Sequence, residues 1–156
     1  FEEYYPLMVE TGERDGFTPA PMSDYENMMH ILGTGHCRLY AGRLDGRLTN
    51  WSMVTVSGRR ATRYYAASST DTMRMHVGDR LVYFEACELG RLFGGTVNEY
   101  DLMAIGSELS PELNGLNEFK CKFSKEVVEV APDRDVPLRK ALYAALVTAR
   151  KTLRRS

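Results

Sequence analysis

Residues 37–67 read CRLYAGRL-DG-RLTNWSMVTV-SG-RRATRYYAA, and this stretch decides the fold. Three runs rich in Leu, Tyr, Trp, Val and Thr each have the length of a strand, and such side chains suit a pleated, half-buried surface. Asp45-Gly46 and Ser57-Gly58 stand between the runs. An Asp-Gly pair tolerates the left-handed backbone of a tight hairpin turn, so the runs it joins are antiparallel neighbours. The expectation is a three-strand meander over Cys37–Leu44, Leu48–Val56 and Ala61–Ala67.

Helical patterns lie on both sides of the meander. Upstream, Phe1, Tyr4, Tyr5, Met8 and Val9 recur at i, i+3, i+4, i+7 and i+8, the stripe of an amphipathic helix over residues 1–13. Gly12, Gly16, Pro19 and Pro21 interrupt it. Ser23 or Asp24 caps a second helix to about Leu32, which Gly33 and Gly35 end. Downstream, polar Ser68–Gly78 leads into a helix over Asp79–Phe93, with Leu81, Phe84, Glu85, Glu88, Leu89 and Leu92 at helical spacing. A short buried strand over Tyr100–Ile105, a loop, a short helix over Leu116–Phe123 and a strand over Glu126–Ala131 follow. Pro132 and Pro137 bracket a turn, and a helix over Val136–Leu153 closes the chain. The class is α+β: a mixed, mostly antiparallel sheet flanked by helices in a single domain over 1–156, with a layout that resembles the GNAT acyltransferases.

Bulk properties narrow the function. The 156 residues, 44% hydrophobic and 26% charged, are enough for one buried core. A formal net charge of −1 does not mark the whole surface as a polyanion binder. Cys37, Cys87 and Cys121 show neither a CxxC nor a Cys/His ligand spacing, which argues against zinc and for reduced thiols in a cytoplasmic protein. No run approaches the roughly 18 apolar residues of a membrane span. Phe1-Glu2-Glu3-Tyr4-Tyr5 is acidic and aromatic, unlike a signal peptide, and without an initiator Met the chain is expected to start inside a longer protein or after processing.

Five short motifs in order resemble one family. Thr11-Gly12-Glu13-Arg14-Asp15-Gly16-Phe17 is similar to the T-x-x-R-x-G-F segment that opens the second domain of the FemABX aminoacyltransferases. Tyr64-Tyr65-Ala66-Ala67-Ser68-Ser69 resembles their Y-x-Y-G-A-S-S strand end. Leu81–Leu89 sits where the family has L-x-W-E-x-I-x-x-A, with Glu85 on the glutamate and Phe84 in place of the tryptophan. Tyr100-Asp101-Leu102 with Ile105-Gly106 is similar to Y-D-F-x-G-I, and Gly115-Leu116-Asn117-Glu118-Phe119-Lys120 with Phe123 to G-L-x-x-F-K-x-x-F. Two features depart from the family: its first GNAT-like domain is absent, and Phe123-Ser124-Lys125-Glu126 stands where a glycine pair is common.

The resemblance implies transfer of an amino acid from aminoacyl-tRNA to the side-chain amine of a peptidoglycan-precursor stem peptide. It implies no cofactor. The partners would be aminoacyl-tRNA, a UDP- or lipid-linked muropeptide and the missing N-terminal domain, with only peripheral membrane contact if the acceptor carries lipid.

Lys120 is the sharpest catalytic candidate. Attack of an amine on an ester builds negative charge on the carbonyl oxygen, and a fixed cation there favours the transition state; a cation there could also hold the terminal phosphates of the tRNA, or else be a solvated surface lysine. Phe119 offers a face on which the terminal adenine could stack, or else a core ring. Arg14 can grip a phosphate as a fork, or face the helix C-terminus. Tyr64 and Tyr65 point to opposite strand faces, so one is core and the other is available to the peptide stem. His30, His36 and His76 are scattered with no triad or metal spacing. Asp101 in an apolar strand calls for a structural partner. Arg150, Lys151, Arg154 and Arg155 suit a helix C-terminus.

Two other readings stand beside this one. A CoA-dependent N-acyltransferase needs a glycine-rich loop to cradle a pyrophosphate, whereas Ser68–Arg74 has no glycine and carries Asp71. A non-catalytic half-domain that acts only with a partner is the third.

Overall fold

The computed structural model describes residues 1–108, 110–131 and 134–153, as two units that divide after Phe123. Arg154 and Arg155 of the basic end, and Pro132 of the turn, lie outside the described residues.

The hairpins form where the turn residues place them. Asp45 and Gly46 both take positive φ, 50° and 82°, as a tight hairpin turn requires. They join β1 (Cys37–Leu44) to β2 (Arg47–Ser57), and the Ser57-Gly58 turn joins β2 to β3 (Arg60–Ser68). All three are antiparallel neighbours, and a fourth strand, β4 (Glu99–Asp101), lies parallel to β3, giving the order β1-β2-β3-β4.

Two helices cover one face of the sheet: α1 (Tyr5–Asp15) and α2 (Met22–His36). The expected helix over residues 1–13 starts later because Phe1–Tyr4 form a turn, with the Tyr4 and Tyr5 amides both on the Phe1 carbonyl. Gly16, at φ 79°, ends α1 in the left-handed region and donates to the Gly12 carbonyl. Gly33 breaks helical geometry inside α2 at φ 63°, but helical turns resume to His36. This layer buries Leu7, Met8, Tyr25, Trp51 and Met53, with Trp51 and Met53 at 0% exposure. Trp51 sits edge-on to Phe1, Tyr4 and Tyr25, and its indole N–H donates to the Tyr4 carbonyl at 2.8 Å.

The opposite face holds α3 (Val77–Phe93), whose Leu81 and Leu89 pack with Tyr40, Val54, Val56, Ala61 and Val97. A 3-10 helix over Thr70–Met75 links β3 to α3. Beyond β4 come a second 3-10 helix, Pro111–Leu116, and a one-turn helix α4 (Asn117–Lys120).

Three expectations change in detail. The strand over Tyr100–Ile105 shrinks to Glu99–Asp101, because Met103 takes φ 65° and its amide is drawn onto the Asp101 carboxylate at 2.7 Å. Asp101 therefore has the structural hydrogen bond expected of it. The strand over Glu126–Ala131 does not form: a strand exists only by pairing, and no described residue of its unit offers a partner. The last helix begins at Lys140 rather than Val136, as α5 (Lys140–Leu153). Within that unit the Tyr143 hydroxyl donates to Asp135 at 2.5 Å.

Candidate functional site

β3 and β4 run together for only three residues, Arg60–Thr62 against Glu99–Asp101, and then part. Beyond that point β3 continues to Ser68 with β2 as its sole strand neighbour. The register against β2 slips here: Val54 faces Arg63 while Met53 faces Tyr65, leaving Tyr64 as the extra residue of a bulge. A bulge re-aims side chains. Tyr65 turns into the α1–α2 core against Tyr25, with ring centroids 4.7 Å apart, whereas Tyr64 is 48% exposed. Of the two tyrosines, Tyr65 is thus the core residue and Tyr64 the available one.

Arg63 goes to the α3 face and meets a buried carboxylate. Glu85 lies between Leu81 and Leu89 on the inward stripe of α3 and is 0% exposed. A charge there must be paired and hydrogen-bonded. Its Oε1 accepts from the Ser52 hydroxyl, and its Oε2 accepts from the Tyr100 hydroxyl and, at 3.1 Å, from Arg63 Nε. Burial, and then the charge of Glu85, push the Tyr100 hydroxyl well above the ordinary phenol value, so it stays protonated and donating.

Lys120 is tied to the segment that follows β4. Asn117 at the start of α4 clamps Gly106 as a backbone would: its Oδ1 accepts from the Gly106 amide at 2.7 Å, and its Nδ2 donates to the Gly106 carbonyl at 3.1 Å. A Cβ on Gly106 would lie 2.3 Å from the Asn114 backbone nitrogen, so the approach requires glycine. One turn along, Lys120 Nζ donates to the Ala104 carbonyl at 2.6 Å. Burial, and next the Arg63 charge, lower the Lys120 pKa from the usual lysine value, while Asp101 opposes the change. The side chain is half-buried and its ammonium is fixed on a carbonyl, with no second acceptor among the described residues.

The other expected site residues are engaged elsewhere. Phe119 packs on the first turn of α3, where a Cβ on Gly78 would lie 3.4 Å from its ring, and lies edge-on to Phe123. Lys122 pairs with Asp79 at 3.0 Å. Arg14 donates from Nη1 to the Ser68 carbonyl at 2.7 Å and pairs with Asp15. Thr11, one turn earlier, accepts from the Ser68 amide at 3.1 Å. The T-x-x-R spacing therefore puts two side chains on one helix face that grip both backbone groups of Ser68.

The loop from β3 to α3 is furnished with carboxylates. The Thr70 amide donates to Glu10 Oε1 at 2.7 Å. Asp71 accepts from the Ser69 hydroxyl and pairs with Arg47 at 2.8 Å, and both interactions hold its carboxyl below the usual range. The Ser69 amide is taken by the Thr49 carbonyl. His76 lies 3.6 Å from Asp79, and His36 Nδ1 lies 3.0 Å from the Val56 carbonyl. Among the described residues no three His, Cys, Asp or Glu side chains converge to hold a metal ion.

The sequence matches no protein-family model and no curated protein. Solved structures do match. An aminoglycoside acetyltransferase from an uncultured soil metagenomic sample, in complex with sisomicin, superposes with TM-score 0.64 at 14% identity, over 89% of this chain and 88% of that one. The fold is that of the GNAT acetyltransferases. An acetyltransferase from Trypanosoma brucei gives TM-score 0.57 at 12% identity, over 86% and 94% of the two chains. A second aminoglycoside acetyltransferase of soil metagenomic origin gives 0.58 at 15%, over 85% and 88%. At such identities the likeness fixes the architecture and leaves the chemistry to the residues.

Sequence reading marked Lys120 but gave no role to Arg63, Ser52, Tyr100 or Glu85. A signal existed in Glu85, an acid on the apolar stripe of a helix between Leu81 and Leu89. Such a residue must find donors on the facing sheet.

Proposed function

We propose that this chain is the second GNAT-like domain of a FemABX-type aminoacyltransferase, moving an amino acid from aminoacyl-tRNA to an amine of a peptidoglycan-precursor stem peptide. One observation carries the choice of donor. The Thr70 amide, at the loop that opens α3, is occupied by the Glu10 carboxylate. The Ser69 amide is likewise taken, by the Thr49 carbonyl, so the loop has fewer free N–H groups than the cradle of a CoA pyrophosphate uses. The family resemblance of the Phe119-Lys120 segment, and the fixed half-buried Lys120, support an aminoacyl ester as donor instead.

The chemistry asks little of the protein beyond placement and charge. The neutral acceptor amine attacks the ester carbonyl carbon, a C–N bond forms and negative charge develops on the carbonyl oxygen. Collapse breaks the ester C–O bond, and the proton released by the amine ends on the departing ribose oxygen. Lys120 supplies N–H donors to the developing oxyanion, and its bond to Ala104 fixes the ammonium before reaction, so little reorganisation is needed. Tyr64, exposed at the bulge, is available to the peptide stem.

A second reading, CoA-dependent N-acyl transfer, is favoured by the similar solved structures, which are acetyltransferases. Presenting the intact enzyme and a muropeptide with labelled aminoacyl-tRNA or labelled acetyl-CoA separates the two. Label arriving from acetyl-CoA alone would replace the first reading with the second.

A further inference from the structure

The helix of the second unit has two faces of different chemistry. Along α5, Leu142, Ala145, Leu146 and Ala149 recur at i, i+3, i+4 and i+7 and form one apolar row. Leu138, four residues before Leu142, extends it. The three leucines are uncovered: Leu138 is 95% exposed, Leu142 54% and Leu146 61%. The threonines that flank the row ask nothing of water. Thr148 Oγ1 donates to the Ala144 carbonyl at 2.8 Å and Thr152 Oγ1 to the Thr148 carbonyl at 3.0 Å, so both hydroxyls are satisfied within the helix.

The opposite face is basic. Arg139, Lys140 and Arg150 are exposed and fall away from the row. In sequence Lys151, Arg154 and Arg155 add to them, and residues 136–156 contain no Asp or Glu. This segment holds six of the chain's 20 Lys and Arg, which leaves 14 against all 21 acidic residues in 1–135, a net charge of −7 there.

These two faces select the occupant. A polyanion such as RNA would take the cations and leave the leucines in water. A lipid surface takes both: the acyl boundary receives the leucines, and anionic headgroups receive the cations, whose long stems reach out from a helix lying in the plane. The 14 residues of α5 rise about 21 Å, short of the roughly 30 Å hydrocarbon core, so such a helix lies along the surface and does not cross it. The same surface repels the net charge of residues 1–135, which leaves this segment as the part that meets it.

We propose that α5, with Leu138 and Arg139 ahead of it, is an interfacial helix that docks the protein on an anionic phospholipid surface. The proposal rests on the charge and exposure of this segment and assumes nothing about the acyl donor or acceptor.

The test sediments residues 1–156 with vesicles of phosphatidylcholine alone or of phosphatidylcholine mixed with phosphatidylglycerol. Wild type is expected on the mixed vesicles only, with binding that falls as salt rises. Leu142→Ser with Leu146→Ser keeps every charge and should weaken binding at least about tenfold. Arg139→Gln with Lys140→Gln and Arg150→Gln keeps the apolar row and should weaken it by a similar factor. All five positions are exposed, and the near-ultraviolet signal of the buried Trp51 reports that the first unit is still folded. If the serine variant loses the helix itself, Leu142→Ala with Leu146→Ala keeps the helix propensity and should still weaken binding. No binding of wild type to mixed vesicles, equal binding to both vesicle types, or wild-type binding by a leucine variant would overturn the proposal. Two rival occupants would show themselves in the same experiment. Wild type that ignores vesicles but binds transfer RNA through the cations alone makes the helix an RNA site. Wild type that ignores vesicles and forms a dimer that the leucine variants dissolve assigns the row to a second copy of the chain.

Discussion

Lys120 and Glu85 are both charged groups drawn out of water, and the fold treats them differently. Glu85 is fully buried and saturated with donors from three elements, whereas Lys120 is half-buried and among the described residues meets one acceptor, the Ala104 carbonyl. Lys120→Met should therefore lower turnover of the intact enzyme by about a hundredfold or more, the effect of losing one oxyanion donor. The native environment disfavours the Lys120 charge, so removing it should leave stability within about 0.5 kcal/mol by thermal melting. Lys122→Met, which loses only the Asp79 pair, should be mild by comparison. The sign of the pH dependence follows. With its folded-state pKa below the ordinary lysine value, Lys120 loses its charge at a lower pH than a surface lysine does. Turnover should therefore fall on an alkaline limb below 10.5, and Lys120→Arg should move that limb upward in a pH–rate profile. Glu85→Ala should behave oppositely to Lys120→Met: it strands the Arg63 charge and should destabilise by about 3–5 kcal/mol in denaturant unfolding. The motif singles out Lys120, whose catalytic role is part of the proposal. The Glu85 network could not be read from sequence, because its donors come from Ser52, Arg63 and Tyr100, and no periodicity in one strand indicates what the next element presents to it.

Between elements, the most specific joint is the grip of α1 on the end of β3. Thr11 and Arg14 satisfy the amide and carbonyl of Ser68 beyond the point where β4 could pair with them. Thr11→Val keeps the shape and removes the acceptor, leaving the Ser68 amide unsatisfied in a mostly buried place. That should cost about 1–3 kcal/mol by thermal or chemical unfolding. The meander was legible because Asp45-Gly46 and Ser57-Gly58 are local turn chemistry, which acts before any tertiary contact. The short β4 was not legible: Tyr100–Ile105 has a strand's composition, but the side chain of Asp101 captures the Met103 amide and ends the ladder. Val127, Val128 and Val130 have strand propensity and are 61–73% exposed, because propensity supplies no partner strand.

At the scale of the whole molecule, the GNAT architecture follows from pattern alone, while the donor does not. The fold is shared with acetyltransferases, and β3 and β4 part after three paired residues. Here the Thr70 amide at the α3-entry loop is taken by Glu10, Asp71 is paired with Arg47, Arg63 is held by Glu85 and Lys120 by the Ala104 carbonyl. Under the proposed function, residues 1–156 alone should fold with a single cooperative transition for the unit that ends at Phe123, yet transfer little, because a muropeptide held on one side would not reach attack geometry. Substantial turnover by this chain alone would refute the need for a second domain. The measurement that bears on the donor is a transfer assay with the intact enzyme, a muropeptide acceptor, and either 14C-aminoacyl-tRNA or 14C-acetyl-CoA. Label should pass to the muropeptide from the tRNA and not from acetyl-CoA, and Lys120→Met should abolish most of it. Efficient transfer from acetyl-CoA with none from aminoacyl-tRNA would contradict the account.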